Sequence, residues 1–298
     1  MKDSVMIGDA LSLLKGVPAG FAQCCVTSPP YWGLRDYGVA GQLGREKTPD
    51  AYVTNIVVVF HEVRRVLAST GTLWLVLGDS YTSGGRSSRA TDKKNPIRED
   101  NYRAPTPGGL KAKDLIGIPW MVAFALRADG WYLRSDIIWH KPNVTPESVT
   151  DRPTKAHEYL FLLSKSERYY YDSEAVREEA VGKTVHDLTG QGYFPPGQTP
   201  SCGNRIDGKR NRRSVWTVST APFKDAHFAT FPMALIEPCI LAGSKVGDTV
   251  LDPFTGSGTT CALAKKLGRH YLGMELNANY AQLFNKRISE VNSGVSTG

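Results

Sequence analysis

Thr27-Ser28-Pro29-Pro30-Tyr31-Trp32 sets a hydroxyl, two prolines and two aromatic rings directly after the apolar run Cys24-Cys25-Val26. Consecutive prolines remove two backbone donors and fix φ, so the segment is rigid and its carbonyls are left to accept hydrogen bonds. The Ser28 oxygen and the Pro29 carbonyl could together grip one NH₂ group, while Tyr31 or Trp32 offers a face for a planar ring. A nucleobase meets both requirements. A proline-rich turn whose aromatics complete a core has the same residue pattern.

Near the other end, Asp252-Pro253-Phe254-Thr255-Gly256-Ser257-Gly258-Thr259-Thr260 follows the apolar Thr249–Leu251 and precedes a helical pattern from Cys261 to Leu267. A glycine-rich turn between strand and helix lets a cofactor approach the backbone closely. Tyr271–Met274 is the next strand, ending at Glu275, where an acid can accept from both hydroxyls of a ribose. Thr259 stands where a phosphate-binding loop needs lysine, and Cys261 where the dinucleotide fingerprint needs glycine. Asp252, before the turn, would face a positive group better than a pyrophosphate. S-adenosyl-L-methionine carries one in its ammonium.

These residues need a frame. Val5–Ile7 and Phe21–Val26 are short strand candidates, with the start of a helix at Ala10–Leu14 between them. From Asp50 to Val66 the apolar positions Ile56, Val59, Phe60, Val63, Val66 and Leu67 recur at three and four, predicting an amphipathic helix capped by Thr70-Gly71. Thr72–Leu77 follows as a buried strand, then a helix over Ile118–Asp129 and strands at Trp131–Trp139 and Glu158–Leu163. This alternation predicts a mostly parallel α/β sheet. Only 38 residues follow Thr260, too few for a doubly wound sheet, so the N-terminal strands must complete it. Ligands in open α/β sheets sit outside the carboxyl ends of the strands, which places both motifs in one cleft.

Two stretches lack hydrophobic period. Tyr81–Asp114 holds eight Lys or Arg against four acids, and Gly182–Ala226 seven against three. Long basic loops beside a base-sized pocket point to DNA, or to plain solvated loops. The formal charge of +7 agrees with a polyanionic partner. Five cysteines, an odd number without Cys-x-x-Cys spacing, indicate neither a disulfide framework nor a metal site. The N-terminus is not a secretory leader and no stretch approaches a membrane span, so a soluble cytoplasmic protein is expected.

Thr27-Ser28-Pro29-Pro30-Tyr31 and Asp252-Pro253-Phe254-Thr255-Gly256-Ser257-Gly258 resemble the catalytic and cofactor motifs of the DNA amino-methyltransferases that modify N4 of cytosine or N6 of adenine. The catalytic motif comes first, as in their circularly permuted beta group. His227-Phe228-Ala229-Thr230-Phe231-Pro232, Trp139-His140-Lys141-Pro142-Asn143 and His157-Glu158-Tyr159 resemble further family elements. The resemblance implies a Rossmann-like methyltransferase domain from 1–181 plus 227–298, a basic DNA-contact insertion at 82–114 and a target-recognition region at 182–226. It also implies S-adenosyl-L-methionine held by Asp9, Phe231, Pro232, Asp252, Pro253, Phe254, Gly256, Ser257, Gly258, Thr259, Thr260, Glu275 and Asn277. Duplex DNA would meet Trp32, Arg86, Arg89, Lys93, Lys94, Arg205, Lys209, Arg210, Arg212 and Arg213. A cognate restriction endonuclease is a possible partner, and the protein would be a monomer or homodimer.

In the implied chemistry a flipped base stacks on Tyr31, and Ser28 and the Pro29 carbonyl accept from its amine; Pro30 completes the catalytic set. Serine at the motif's head is the form that the family associates with N4-cytosine, so cytosine is expected and N6-adenine is the alternative. Protein-glutamine methylation is a remoter one, because its motif begins with Asn. A catalytically silent DNA-binding protein would have lost Ser28 or the cofactor motif. Cys239, the nucleophile that a C5-cytosine enzyme would need, sits in an apolar helical pattern with Leu235, Ile236 and Ile240 and is expected to pack. Asp9 and Asp79 could serve the cofactor and the base, or merely cap a helix and a turn. Phe231-Pro232 could cover the cofactor or staple a helix.

Overall fold

The structure, a computed structural model, describes residues 1–34, 37–82, 106–180, 208–220, 231–280, 283, 284, 287 and 288. Within them one sheet runs in the order β1 (Ser4–Ile7), β10 (His270–Glu275), β9 (Thr249–Asp252), β2 (Ala22–Thr27), β3 (Leu67–Leu77), β5 (His157–Ser164), β4 (Tyr132–His140) and β8 (Val215–Thr217). β5 is antiparallel to both its neighbours; the other pairings are parallel. The expected mostly parallel α/β sheet is therefore present, and β9 and β10 complete it beside the N-terminal β2.

Strand residues alternate between two apolar layers, as period-2 geometry requires of a sheet covered on both faces. Cys25, Leu73, Leu75, Leu77 and Leu251 pack beneath α1 (Ala10–Lys15), α2 (Pro49–Val66) and α3 (Ile118–Ala128). Their neighbours Cys24, Trp74, Val76 and Val250 face α4 (Met233–Gly243) and α5 (Thr259–Lys266). Of the predicted stripe, Ile56, Val59, Phe60, Val63 and Val66 lie on the buried face of α2, whereas Leu67 falls outside the helix. Thr48 caps that helix through Ala51 N, with Pro49 at the first turn.

Two expectations change. Thr70-Gly71 does not cap α2: the helix ends at Val66, and Leu67, already extended, begins β3. The β2 pairing then jumps from Ala22↔Leu67 to Cys24↔Thr72. The intervening residues bulge toward the chain after β5, where Gly71 and Thr70 carbonyls accept from Lys165 N and Tyr170 N. A strand interrupted by Ser69-Thr70-Gly71 reads as a turn because those residues are turn formers. The second change lies in Gly182–Ala226, expected to be irregular. Lys209–Arg210 forms β7, paired with β6 (Glu178–Glu179), and β8 joins the main sheet beside β4. Such short strands display no period to find. Residues 83–105, 181–207 and 221–230 lie outside the described set, and with them most of both basic stretches.

Candidate active site

β2 and β9 are adjacent and parallel, with Cys24↔Val250 and Cys25↔Leu251 in register. Their carboxyl ends are tied by a buried bond from Thr27 Oγ1 to Asp252 Oδ1 at 2.6 Å. The Ser28 motif and the glycine-rich turn are thus neighbours on one edge, as the sequence predicted. Thr260 strengthens the tie, its hydroxyl donating to the Val26 carbonyl at 3.2 Å.

The two prolines leave carbonyls with different fates. Tyr52 of α2 donates its hydroxyl to the Pro30 carbonyl at 2.9 Å. Among the described residues nothing donates to the carbonyl of the buried Pro29. Ser28 Oγ lies 3.3 Å from the Tyr31 hydroxyl, long for two hydroxyls. That hydroxyl donates to Glu158 Oε2 at 2.8 Å, and Lys141 Nζ holds Glu158 Oε1. Burial, and then the Glu158 charge, pushes the Tyr31 phenol well above its usual range, so it stays protonated. The Tyr31 ring lies against Gly78 so closely that a Cβ there would stand 2.5 Å from Cε2. Glycine at the end of β3 is what lets the ring fit.

The second half of the site is a backbone cradle. Gly256 at φ +53 and Gly258 at φ +86 use left-handed conformations, and a Cβ on Gly256 would meet nothing within 4 Å. Gly258 precedes α5, where unpaired backbone N–H groups begin. The Glu275 carboxylate accepts from Gly256 N and Asn277 N, both at 2.8 Å, binding the turn to the end of β10. Burial raises the Glu275 pKa. Backbone N–H groups of Asn277, Gly256 and Leu276 hold the carboxylate against that rise, and its two oxygens retain acceptor capacity for a diol. Phe254 packs on Phe60, with ring centroids 6.3 Å apart. Open glycine backbone, a helix start and a strand-end acid suit the nucleoside cofactor expected from the sequence. Pro253 lies within this turn and is buried.

Other site candidates fall differently. Asp252 does not stand open to a cation: its carboxyl is 1% exposed and accepts from Thr27 Oγ1 and, at 3.1 Å, from Phe254 N. Burial raises its pKa to about 6 against those hydrogen bonds. Ser257 and Thr259 hydroxyls are occupied by Arg287, a buried cation that the sequence reading missed because it lies beyond every motif. Asp9 caps α1, accepting from Ser12 N at 2.9 Å. Asp79 accepts from Ser80 N, Gly117 N and Ile118 N, fixing the start of α3. Pro232 precedes α4, and Phe231 packs against the layer that includes Leu235 and Ile236. Tyr52, Lys155 and Arg287 are structural partners of the site that no motif signalled; Lys155 Nζ donates to the Asp79 carbonyl at 2.8 Å.

Trp32, expected at the DNA, is 3% exposed and donates its indole N–H to the Glu46 carbonyl at 2.9 Å. It is a core residue, because the ring belongs to the layer under α2. Arg210 and Arg213 both pair with Glu178 Oε1, at 2.9 and 2.6 Å, and Arg212 lies over the Trp216 ring at 4.5 Å. Lys209 is exposed beside them. Arg86, Arg89, Lys93, Lys94 and Arg205 lie outside the described residues, as do His227 to Thr230. Cys239 is buried in α4, with its thiol pushed far up by burial and bonded to the Leu235 carbonyl. That environment makes it a packing residue rather than a nucleophile. Among the described residues no cluster of three His, Cys, Asp or Glu could hold a metal ion, and no helix is long and apolar enough to cross a membrane.

A family model for N6/N4 methyltransferases, described as DNA methylase, matches residues 22–286. The chain belongs to that family. Type II methyltransferase M.Cfr9I of Citrobacter freundii is 53% identical over 288 residues, 97% of this chain and 88% of that protein. Type II methyltransferase M.SmaI of Serratia marcescens is 51% identical over 284 residues, 95% and 90% of the two chains. A putative DNA modification methylase of Thermus thermophilus, solved with S-adenosyl-L-methionine, superposes with a TM-score of 0.61 at 26% identity, over 98% of this chain and 97% of that one. PvuII DNA methyltransferase, cytosine-N4-specific, shares the fold with a TM-score of 0.66 at 19% identity, over 97% and 90%. The methyltransferase is of the N4/N6 class, with S-adenosyl-L-methionine as methyl donor and DNA as substrate.

Proposed function

We propose that the chain methylates the exocyclic N4 amine of a cytosine flipped from duplex DNA. The observation that carries this is the pair of acceptors at the end of β2, the Ser28 hydroxyl and the Pro29 carbonyl to which no described residue donates, beside the glycine turn of β9. Serine at the head of the motif favours cytosine over adenine by family resemblance. Bound S-adenosyl-L-methionine would supply an electrophilic sulfonium methyl. Ser28 and Pro29 would hold the two amine hydrogens, pulling the nitrogen out of conjugation and aiming its lone pair across the cleft. Pro30, fixed by Tyr52, keeps the two acceptors rigid, and the Tyr31 ring would take the base. Gly256, Gly258 and Glu275 would seat the nucleoside, while Asp252, Ser257, Thr259 and Thr260 shape the turn beneath it. Asp9, Phe231, Pro232, Pro253, Phe254 and Asn277 complete the proposed cofactor wall.

Lys209, Arg210, Arg212 and Arg213 are the proposed DNA contacts among the described residues, with Arg86, Arg89, Lys93, Lys94 and Arg205 from the basic stretches. Phosphate contacts of this kind make affinity fall with salt. A cytoplasmic monomer or homodimer acting beside a cognate restriction endonuclease completes the proposal. It is tested by incubating the purified protein with duplex DNA and tritiated S-adenosyl-L-methionine, then separating the nucleosides. Label in N4-methylcytosine is expected. Label only in N6-methyladenine would overturn the base, and label only in protein would overturn DNA as substrate.

A further inference from the structure

A hydroxyl both donates and accepts, so Ser28 alone has two ways to meet an amine. Accepting an N–H with a lone pair leaves the nitrogen's own lone pair available for attack. Donating to the nitrogen would consume it. Something must select the first arrangement, and the contacts behind Ser28 run in one direction. Glu158, at the start of β5, is ion-paired with Lys141 at the end of β4, and a carboxylate only accepts. Its Oε2 therefore holds the Tyr31 hydroxyl as a donor at 2.8 Å. With its proton so committed, Tyr31 offers only its oxygen to Ser28, 3.3 Å away. Ser28 then donates to Tyr31, which leaves its lone pairs to accept. Lys141 is steadied on its other side by the Trp139 ring, 4.1 Å from the ammonium.

We propose that Glu158 is a positioning residue for methyl transfer, setting the Ser28 hydroxyl as an acceptor for the target amine through Tyr31. The proposal rests on the amine-methylating function above. It assigns work to two residues, Lys141 just past β4 and Glu158 in β5, that touch no reacting atom. It also explains the tether on Tyr31: the ring serves the base with one face while its hydroxyl carries polarity from the sheet to Ser28.

Glu158→Gln keeps the shape but not the direction. The carboxamide would turn its oxygen to Lys141 and its NH₂ to Tyr31, forcing Tyr31 to donate toward Ser28. Single-turnover methylation of DNA should then fall by about tenfold or more, the rate equivalent of one misdirected hydrogen bond. Affinities for S-adenosyl-L-methionine and for DNA should stay within about twofold, since Glu158 lies in neither proposed contact set. Tyr31→Phe keeps the ring and cuts the link, so adding Glu158→Gln to it should cost little more; additive losses would overturn the proposal. In protein labelled with ¹³Cζ-tyrosine, the resonance absent from Tyr31→Phe should move in Glu158→Gln, and an unmoved resonance would overturn it without any turnover. Should Glu158→Gln fail to fold, Tyr31→Phe alone must slow transfer with cofactor binding intact, and wild-type transfer would sink the idea. Wild-type speed in Glu158→Gln, with the unaltered protein methylating a DNA amine, rejects the positioning role and leaves the function standing. No methyl on any DNA amine from the unaltered protein rejects both.

Discussion

Replacing Asp252 by Asn should make the protein relatively more stable as pH rises. The Asp252 carboxyl is sealed between β2 and β9, and burial lifts its pKa from 3.8 to about 6. A raised folded-state pKa means that the folded protein holds this proton more tightly than the unfolded chain does. The group's favourable contribution is therefore complete below pH 3.8 and lost as pH rises through about 6. The full cost of ionising it in place is about 3 kcal/mol at 1.36 kcal/mol per pKa unit. About half of that loss falls between pH 5 and pH 8, roughly 1.4 kcal/mol. Asn retains the oxygen that accepts from Thr27 Oγ1 and Phe254 N, and carries no charge to desolvate. Urea unfolding of both proteins at several pH values tests this, because every other titrating group cancels in the difference. The difference should move in favour of Asn by roughly 1.4 kcal/mol from pH 5 to pH 8. A pH-independent difference would refute the reasoning, as would one moving the opposite way. Cofactor affinity should survive, because the turn keeps its ties. Its loss in a folded Asn variant would return Asp252 to direct contact with the cofactor.

Gly78→Ala should separate catalysis from binding: its Cβ would sit 2.5 Å from Tyr31 Cε2 where ordinary contact begins at 3.4 Å, so the ring must retreat. A shift of about 1 Å in a catalytic group costs on the order of a hundredfold in rate, read by single-turnover transfer with cofactor affinity as the unchanged control. Gly258→Ala should strike the other half of the site. It forces φ +86 on a side chain and drives Cβ to 2.5 Å from Phe284, so a stability loss on the order of 2 kcal/mol with weakened cofactor binding is expected in thermal melts and titrations. Cys239→Ala should keep methyl transfer and lose stability on the order of 1 kcal/mol, since the thiol only packs; abolished transfer in a folded variant would contradict that.

Much of this arrangement is legible in the chain because its chemistry is local. A serine before two prolines at a strand end, and glycines at a strand-to-helix turn, are defined by neighbours in sequence, and ligand sites at the carboxyl ends of parallel strands place the two motifs together. The geometry bears this out in Cys25↔Leu251. What could not be read is what long-range packing decides. Trp32 looks like an exposed ring only until α2 covers it, and Asp252 looks like a free acid only until Thr27 closes on it. Arg287 carries no motif at all, yet it reaches back to the hydroxyls of Ser257 and Thr259. Glu158 is the most instructive case. Its sequence neighbourhood resembles a family element, but only the antiparallel placement of β5 against β3 and β4 brings its carboxylate between Lys141 and Tyr31. Strand direction, invisible in the residues themselves, is what turns an ordinary ion pair into the anchor of a directed hydrogen-bond chain.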